Sequence, residues 1–195
     1  MDSSGSLKSE YHKEKQFLNE VAESFGLSQG GTRAGVVTFS FSAEHSIKLN
    51  DHYNVSSFKD SVDAIPLMGR TTRIDRALQL AYDQMFTIRN GGRIGAPKVL
   101  ILLTDGSQTA SADAEDPAEI ASDIRASGIR LIVVGIGEGV DKQELLKIGD
   151  GRDNVYTAES FDQLIEGDFI KSITTKSCKT ATSLIKVKDD SLCEG

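Results

Sequence analysis

Three short polar clusters in this 195-residue chain could do chemistry: Asp2-Ser3-Ser4-Gly5-Ser6, Gly69-Arg70-Thr71-Thr72 and Thr104-Asp105-Gly106. Their ligand atoms are hydroxyl and carboxylate oxygens, with no His or Cys among them. In an extended turn, the alternate spacing of Asp-x-Ser-x-Ser aims Asp2, Ser4 and Ser6 to one side. Oxygen is what a hard cation takes: Mg²⁺ binds about six oxygens at roughly 2.0–2.1 Å and usually keeps some as water. Each cluster alone also has a plain structural reading. Ser6 could cap a helix beginning at Leu7, Thr71 could cap a helix at Ile74, and Asp105 could be a turn acid before Gly106.

The elements around the clusters decide between these readings. Leu7, Tyr11, Leu18, Val21 and Phe25 share one helical face, which predicts an amphipathic helix over Leu7–Phe25, ended by Gly26 and Gly30-Gly31. Ala34–Phe41 reads as a strand with Ser46–Leu49 as a short neighbour, and Val55–Ile65 as a helix stopped by Pro66. Ile74, Ala77, Leu78, Ala81 and Met85 mark a further helix. Lys98–Thr104 and Ile129–Val134 are apolar without alternation, the pattern of parallel strands covered on both faces. Asp116-Pro117-Ala118-Glu119 between them is a helix start, and Asp141 with Glu144 and Ser160 with Gln163 are two more, flanking a short strand at Asn154–Thr157. The alternation continues to Ile173. It predicts an α/β fold, a doubly wound open sheet, mostly parallel, with helices on both faces and ligands held beyond the carboxyl ends of the strands. The three clusters fall in such loops.

In that order of elements the sequence resembles the von Willebrand factor type A domain with a metal-ion-dependent adhesion site, over Asp2 to about Ser177. The resemblance implies one divalent ion, Mg²⁺ with Mn²⁺ or Ca²⁺ as alternatives. It implies Asp2, Ser4 and Ser6 as the first ligand loop, Thr71 as the separate threonine and Asp105 as the second acid. The serines and the threonine would approach through hydroxyls, and the two Asp through water or directly. It further implies a binding module and not an enzyme, whose protein partner, a collagen or another matrix or cell-surface protein, offers a Glu or Asp carboxylate to the ion. A rim of Ser107 to Asp113, Arg70, Thr72 and Arg73 would read that partner. Two positions depart from the common pattern, Arg70 in place of a second Gly and Ile74 in place of a Thr. The family also has a buried central strand directly before the first Asp, of which only Met1 stands here. The expectation is a fragment of a longer secreted protein whose first central strand is missing. Residues 1–177 would form the domain, and 178–195 a tail or the start of a further module.

Composition fits this reading. Apolar residues make up 38% and charged residues 26%, as in a folded soluble domain, and 195 residues suffice for one buried core. A net charge of −7 disfavours nucleic acid or an anionic membrane surface as the main partner. The longest apolar run, Val99–Leu103, is far short of the ~18 residues of a spanning helix, so membrane insertion is not expected. No signal peptide follows Met1. Cys178 and Cys193 are too few for a zinc site, and pairing with each other, pairing elsewhere or free thiols all stay open. Asn54-Val55-Ser56 is one glycosylation sequon.

Among other functions, an oxidoreductase would use Gly135-Ile136-Gly137-Glu138-Gly139, but the spacing is not Gly-x-Gly-x-x-Gly. A serine hydrolase lacks the Gly-x-Ser-x-Gly elbow, and a phosphate-loop nucleotidase lacks Gly-Lys-Ser/Thr. An intracellular scaffold domain of the same family, in a multiprotein complex, is the closer alternative.

Overall fold

The β-branched and aromatic residues of Val36–Phe39 form β1, which pairs antiparallel with β2, Ala43–Ile47. The two apolar runs form β3, Val99–Thr104, and β4, Arg130–Ile136, which pair parallel, with β5, Val155–Ala158, parallel on the far side of β4. The computed structural model describes residues 1–5, 9–69, 71–166 and 168–175. Ser6, Leu7, Arg70, Cys178 and Cys193 lie outside these residues, as does the expected boundary near residue 177.

Among the described residues the helices α1 Tyr11–Phe25, α2 Val55–Ala64, α3 Ile74–Leu80, α4 Pro117–Ala126, α5 Lys142–Gly149 and α6 Phe161–Glu166 cover the sheet. One face carries α1, α2 and α6, with Phe17, Phe58, Val62, Phe161 and Leu164 packed on Leu103, Ile132 and Val134. The other carries α3, α4 and α5, with Ile74, Leu78, Ile124 and Leu145 packed on Phe39, Leu131 and Val133. The expected doubly wound α/β sheet is therefore present.

Local boundaries differ from the sequence reading for identifiable reasons. The first helix begins at Tyr11 with Glu10 at its N-cap, where the sequence predicts a start at Leu7, a residue outside the described ones. The helix from Ile74 changes to a π-helical turn at Ala81–Met85. Asp116 and Asp141 cap α4 and α5 through their carboxylates. Glu144, however, does not reach back to Asp141: its carboxylate accepts from the Gln108 N–H, and the Asp141 N–H donates to Ser107 Oγ. Half of that capping box is thus spent on the loop after β3.

The centre of the sheet holds only Met1–Ser3. The Asp2 N–H donates to Leu103 O of β3, while Ser3 N–H and Phe39 N–H make reciprocal bonds across to β1 through Phe39 O and Met1 O. Asp2 and Phe39 form a parallel bridge. Below this stub an apolar cleft of about 360 Å³ opens between β1 and β3, lined among others by Leu18, Val21, Val37, Ala81 and Ile101. Backbone groups of alternate residues point to one edge, so Val99 and Ile101 turn theirs to the same side as Leu103, toward the cleft. The expectation that β3 is covered on both faces accordingly holds for Leu102–Thr104 and fails for Val99–Ile101, which are only half-buried.

Candidate metal centre

Asp2 lies at the carboxyl end of the central stub and is completely buried. Its Oδ1 accepts the Ser4 N–H at 2.9 Å, and its Oδ2 accepts the hydroxyl of Thr104, the last residue of β3, at 2.7 Å. Thr104 Oγ1 also accepts the Gly106 N–H and lies 3.0 Å from the Gly106 carbonyl oxygen, so one hydroxyl ties the first loop to the Thr-Asp-Gly turn. Burial pushes the Asp2 carboxyl above its ordinary value, while the bonds from Thr104 and Ser4 work against that shift. Ser4 is buried beside it.

Thr72, beside the expected ligand Thr71, abuts the turn of this cluster. Thr71 is exposed and its carbonyl accepts from Ser40 Oγ. Thr72 is buried, and a Cβ built on Gly106 would stand 3.3 Å from Thr72 Oγ1, so the Thr72 hydroxyl abuts the turn that carries Asp105. Reciprocal bonds between Thr72 and Thr109 fix this placement: Thr72 N–H to Thr109 Oγ1, and Thr109 N–H to Thr72 O. Gly139 lets the loop after β4 pass directly over this turn, since a Cβ there would come within 2.5 Å of Asp105 O.

Asp2, Ser4, Thr72 and the Asp105 turn therefore converge at the carboxyl ends of β3 and the stub. Ser3 points elsewhere: its Oγ donates to Tyr11 Oη and accepts the Met68 N–H, anchoring the loop that leads to Thr72. The rim also changes. Arg73 is buried and bonded to Asp75 and Asp113, so it is not a free cation for a partner, and the exposed part of the rim is Ala110–Asp113.

Two groups escape the sequence reading. Thr104 was grouped with Asp105 but carries a bond of its own to Asp2. Glu14 of α1 is fully buried, neither carboxyl oxygen reaches a hydrogen-bond partner, and burial pushes its pKa well up. Its position on the helical face of Tyr11 and Leu18 was the available signal.

The donor set suits a hard divalent ion. It offers only oxygen, with two acids and two hydroxyls among the described residues, and the buried Asp2 carboxyl takes its hydrogen bonds from the Ser4 N–H and the Thr104 hydroxyl. Among the described residues there is no group of three or more His, Cys, Asp or Glu placed to hold a metal.

An open α/β sheet with an all-oxygen cluster at its strand ends defines a class of domain that binds at loops, with the sheet as a rigid frame. The profile of the von Willebrand factor type A domain matches residues 1–171, and the chain belongs to that family. It is 27% identical over 183 residues to von Willebrand factor A domain-containing protein 2 of Xenopus laevis, covering 94% of this chain and 22% of that protein. It is 32% identical to the collagen alpha-5(VI) chain of Homo sapiens, covering 84% of this chain and 6% of the relative. With matrilin-1 of Gallus gallus the identity is 34%, over 73% of this chain and 28% of the relative. The chain thus spans well under a third of each of these proteins. Among solved structures, proximal thread matrix protein 1 from the mussel byssus superposes with a TM-score of 0.82 at 29% identity, covering 91% of this chain and 46% of that one. A further structure of that protein, at 28% identity, has a zinc-occupied MIDAS motif.

Proposed function

We propose that this domain binds a protein partner through a divalent cation held by Asp2, Ser4, Thr72 and Asp105, with Ser6 as a further ligand by resemblance to the family. The observation that carries the reading is the buried Asp2 carboxylate, oriented by Ser4 and Thr104 and joined by the Thr72 hydroxyl and the Asp105 turn. When bound, the ion would supply a positive centre with an open position for a partner's Glu or Asp carboxylate. The chain's own groups do the rest. Ser4 N–H and Thr104 Oγ1 hold the Asp2 carboxylate in one orientation, so its oxygens need not reorganise when a ligand arrives.

We take the ion to be Mg²⁺, with Mn²⁺ or Ca²⁺ as alternatives, because the donors are hard oxygens. Zinc in the MIDAS motif of the mussel protein supports metal binding at this kind of site without choosing the metal. We take the partner to be an extracellular matrix protein and the setting to be outside the cell, supported by the collagen and matrilin relatives. Surface plasmon resonance on immobilised collagen and matrilin, in Mg²⁺ and then in excess chelator, tests this. Capture lost in chelator and restored by Mg²⁺ is the expected result; capture that survives chelation refutes metal dependence.

A further inference from the structure

The loop from Asp105 to Asp116 has no regular secondary structure, yet it must hold one acid of the cluster in place. Its anchor is a buried ion pair on the neighbouring segment. Arg73 and Asp75 are almost inaccessible, with side chains each 3% exposed, and they meet through two parallel bonds, Nε to Oδ1 at 2.8 Å and NH2 to Oδ2 at 2.7 Å. Asp75 Oδ1 also accepts Gln108 Nε2 at 2.7 Å, and Asp75 Oδ2 accepts the Glu115 N–H at 3.1 Å. In return Gln108 Oε1 accepts the Asp75 N–H. Two further Arg73 donors go to the side chain and carbonyl of Asp113, whose other oxygen takes Arg76.

Asp75 therefore accepts a donor at every lone pair a carboxylate offers, and half of those donors come from the loop after Asp105. The other half come from Arg73, the residue next to Thr72. We propose that Asp75 is a positioning residue of the cation site: without touching the cluster, it locks the Thr72 segment and the Asp105 loop into one geometry. This rests on the cation reading above. Stability alone does not call for such a pair, since a buried Arg–Asp pair is commonly no better than apolar side chains of like volume. The bonds run instead to the two segments that must keep a fixed separation if a hydroxyl and a carboxylate are to share one ion. Partners of this outer kind typically change metal affinity by about 10- to 100-fold when removed.

The test compares wild type with three variants: Asp75→Asn, the pair Arg73→Met with Asp75→Leu, and Gln108→Met. The first removes the charge, the second replaces both buried ions with apolar side chains to preserve the fold, and the third cuts the link on the loop side. Three readouts are taken on each: Mg²⁺ affinity by calorimetry, melting temperature, and hydrogen exchange of the amides at 106–115. The expected result is at least a tenfold loss of Mg²⁺ affinity with faster exchange at 106–115, in the apolar pair at a melting temperature close to wild type. Variants that bind Mg²⁺ as wild type does, whether or not their loop exchanges faster, overturn the role of Asp75. Wild-type protein that takes up no Mg²⁺ overturns the cation reading itself.

Discussion

Thr104 and Asp2 lie 102 residues apart in sequence and meet at 2.7 Å, hydroxyl to carboxylate, inside the protein. This contact joins the end of β3 to the first loop. Thr104→Val keeps the shape and removes the donor, leaving a buried carboxylate oxygen unsatisfied. It should cost about 1–3 kcal/mol in urea denaturation and weaken Mg²⁺ binding. A variant of wild-type stability with wild-type affinity would mean that the contact is incidental.

The two adjacent threonines should separate cleanly. Thr72→Ala removes the hydroxyl beside Gly106 and is expected to abolish Mg²⁺ uptake, whereas Thr71→Ala, on an exposed side chain, leaves it intact. Calorimetry of both proteins decides, and the reverse pattern would return the ligand role to Thr71.

Asp75 makes stability depend on acid pH in a defined direction. Burial alone would push its pKa up, but the bonds from Arg73, Gln108 and the Glu115 N–H bring it down from 3.8 to about 2. A carboxylate with a depressed folded pKa contributes stability that is full above 3.8 and is lost as pH falls through about 2. Asp75→Asn should therefore be less stable than wild type at pH near 5 and approach it near pH 2, measured by urea denaturation at several pH values. A gap that stays constant over that range would show that Asp75 contributes no proton-linked stability.

The cleft between β1 and β3 makes a prediction independent of the metal. An apolar segment of about five residues joined ahead of Met1, running on the line of Met1–Ser3, can pair with the backbone of Ile101 and Val99 and bury its side chains against both helical layers. Melting should rise by roughly 10 °C, from a net gain of about 3–4 kcal/mol at 2–4 °C per kcal/mol. A polar segment of equal length serves as the control, and equal melting of the two would leave the cleft without a strand-binding role.

The frame was readable because burial imposes period. Uninterrupted Val99–Leu103 and Ile129–Val134 became parallel strands, and the acids at Asp116 and Asp141 capped helices. Choices among neighbours were not readable. Thr71 and Thr72 share one loop, and the bonds to Ser40 and Thr109 that orient them come from distant segments. Arg73 reads as a rim cation from its place in the loop, but the bonds to Asp75 and to Asp113, 40 residues on, hold it buried. Glu14 was passed over because a carboxylate on a buried helical face breaks the rule that charges avoid cores. Half-burial of Val99–Ile101 follows from the apolar cleft that these residues line.

The claim at the centre is that Asp2 and Asp105 share one divalent ion. Calorimetric titration of Mg²⁺ into wild type, Asp2→Asn and Asp105→Ala, each checked for native melting, measures it directly. A single saturable site in wild type and none in either variant is the expected result; equal heats of binding in all three proteins would rule out an ion shared by Asp2 and Asp105.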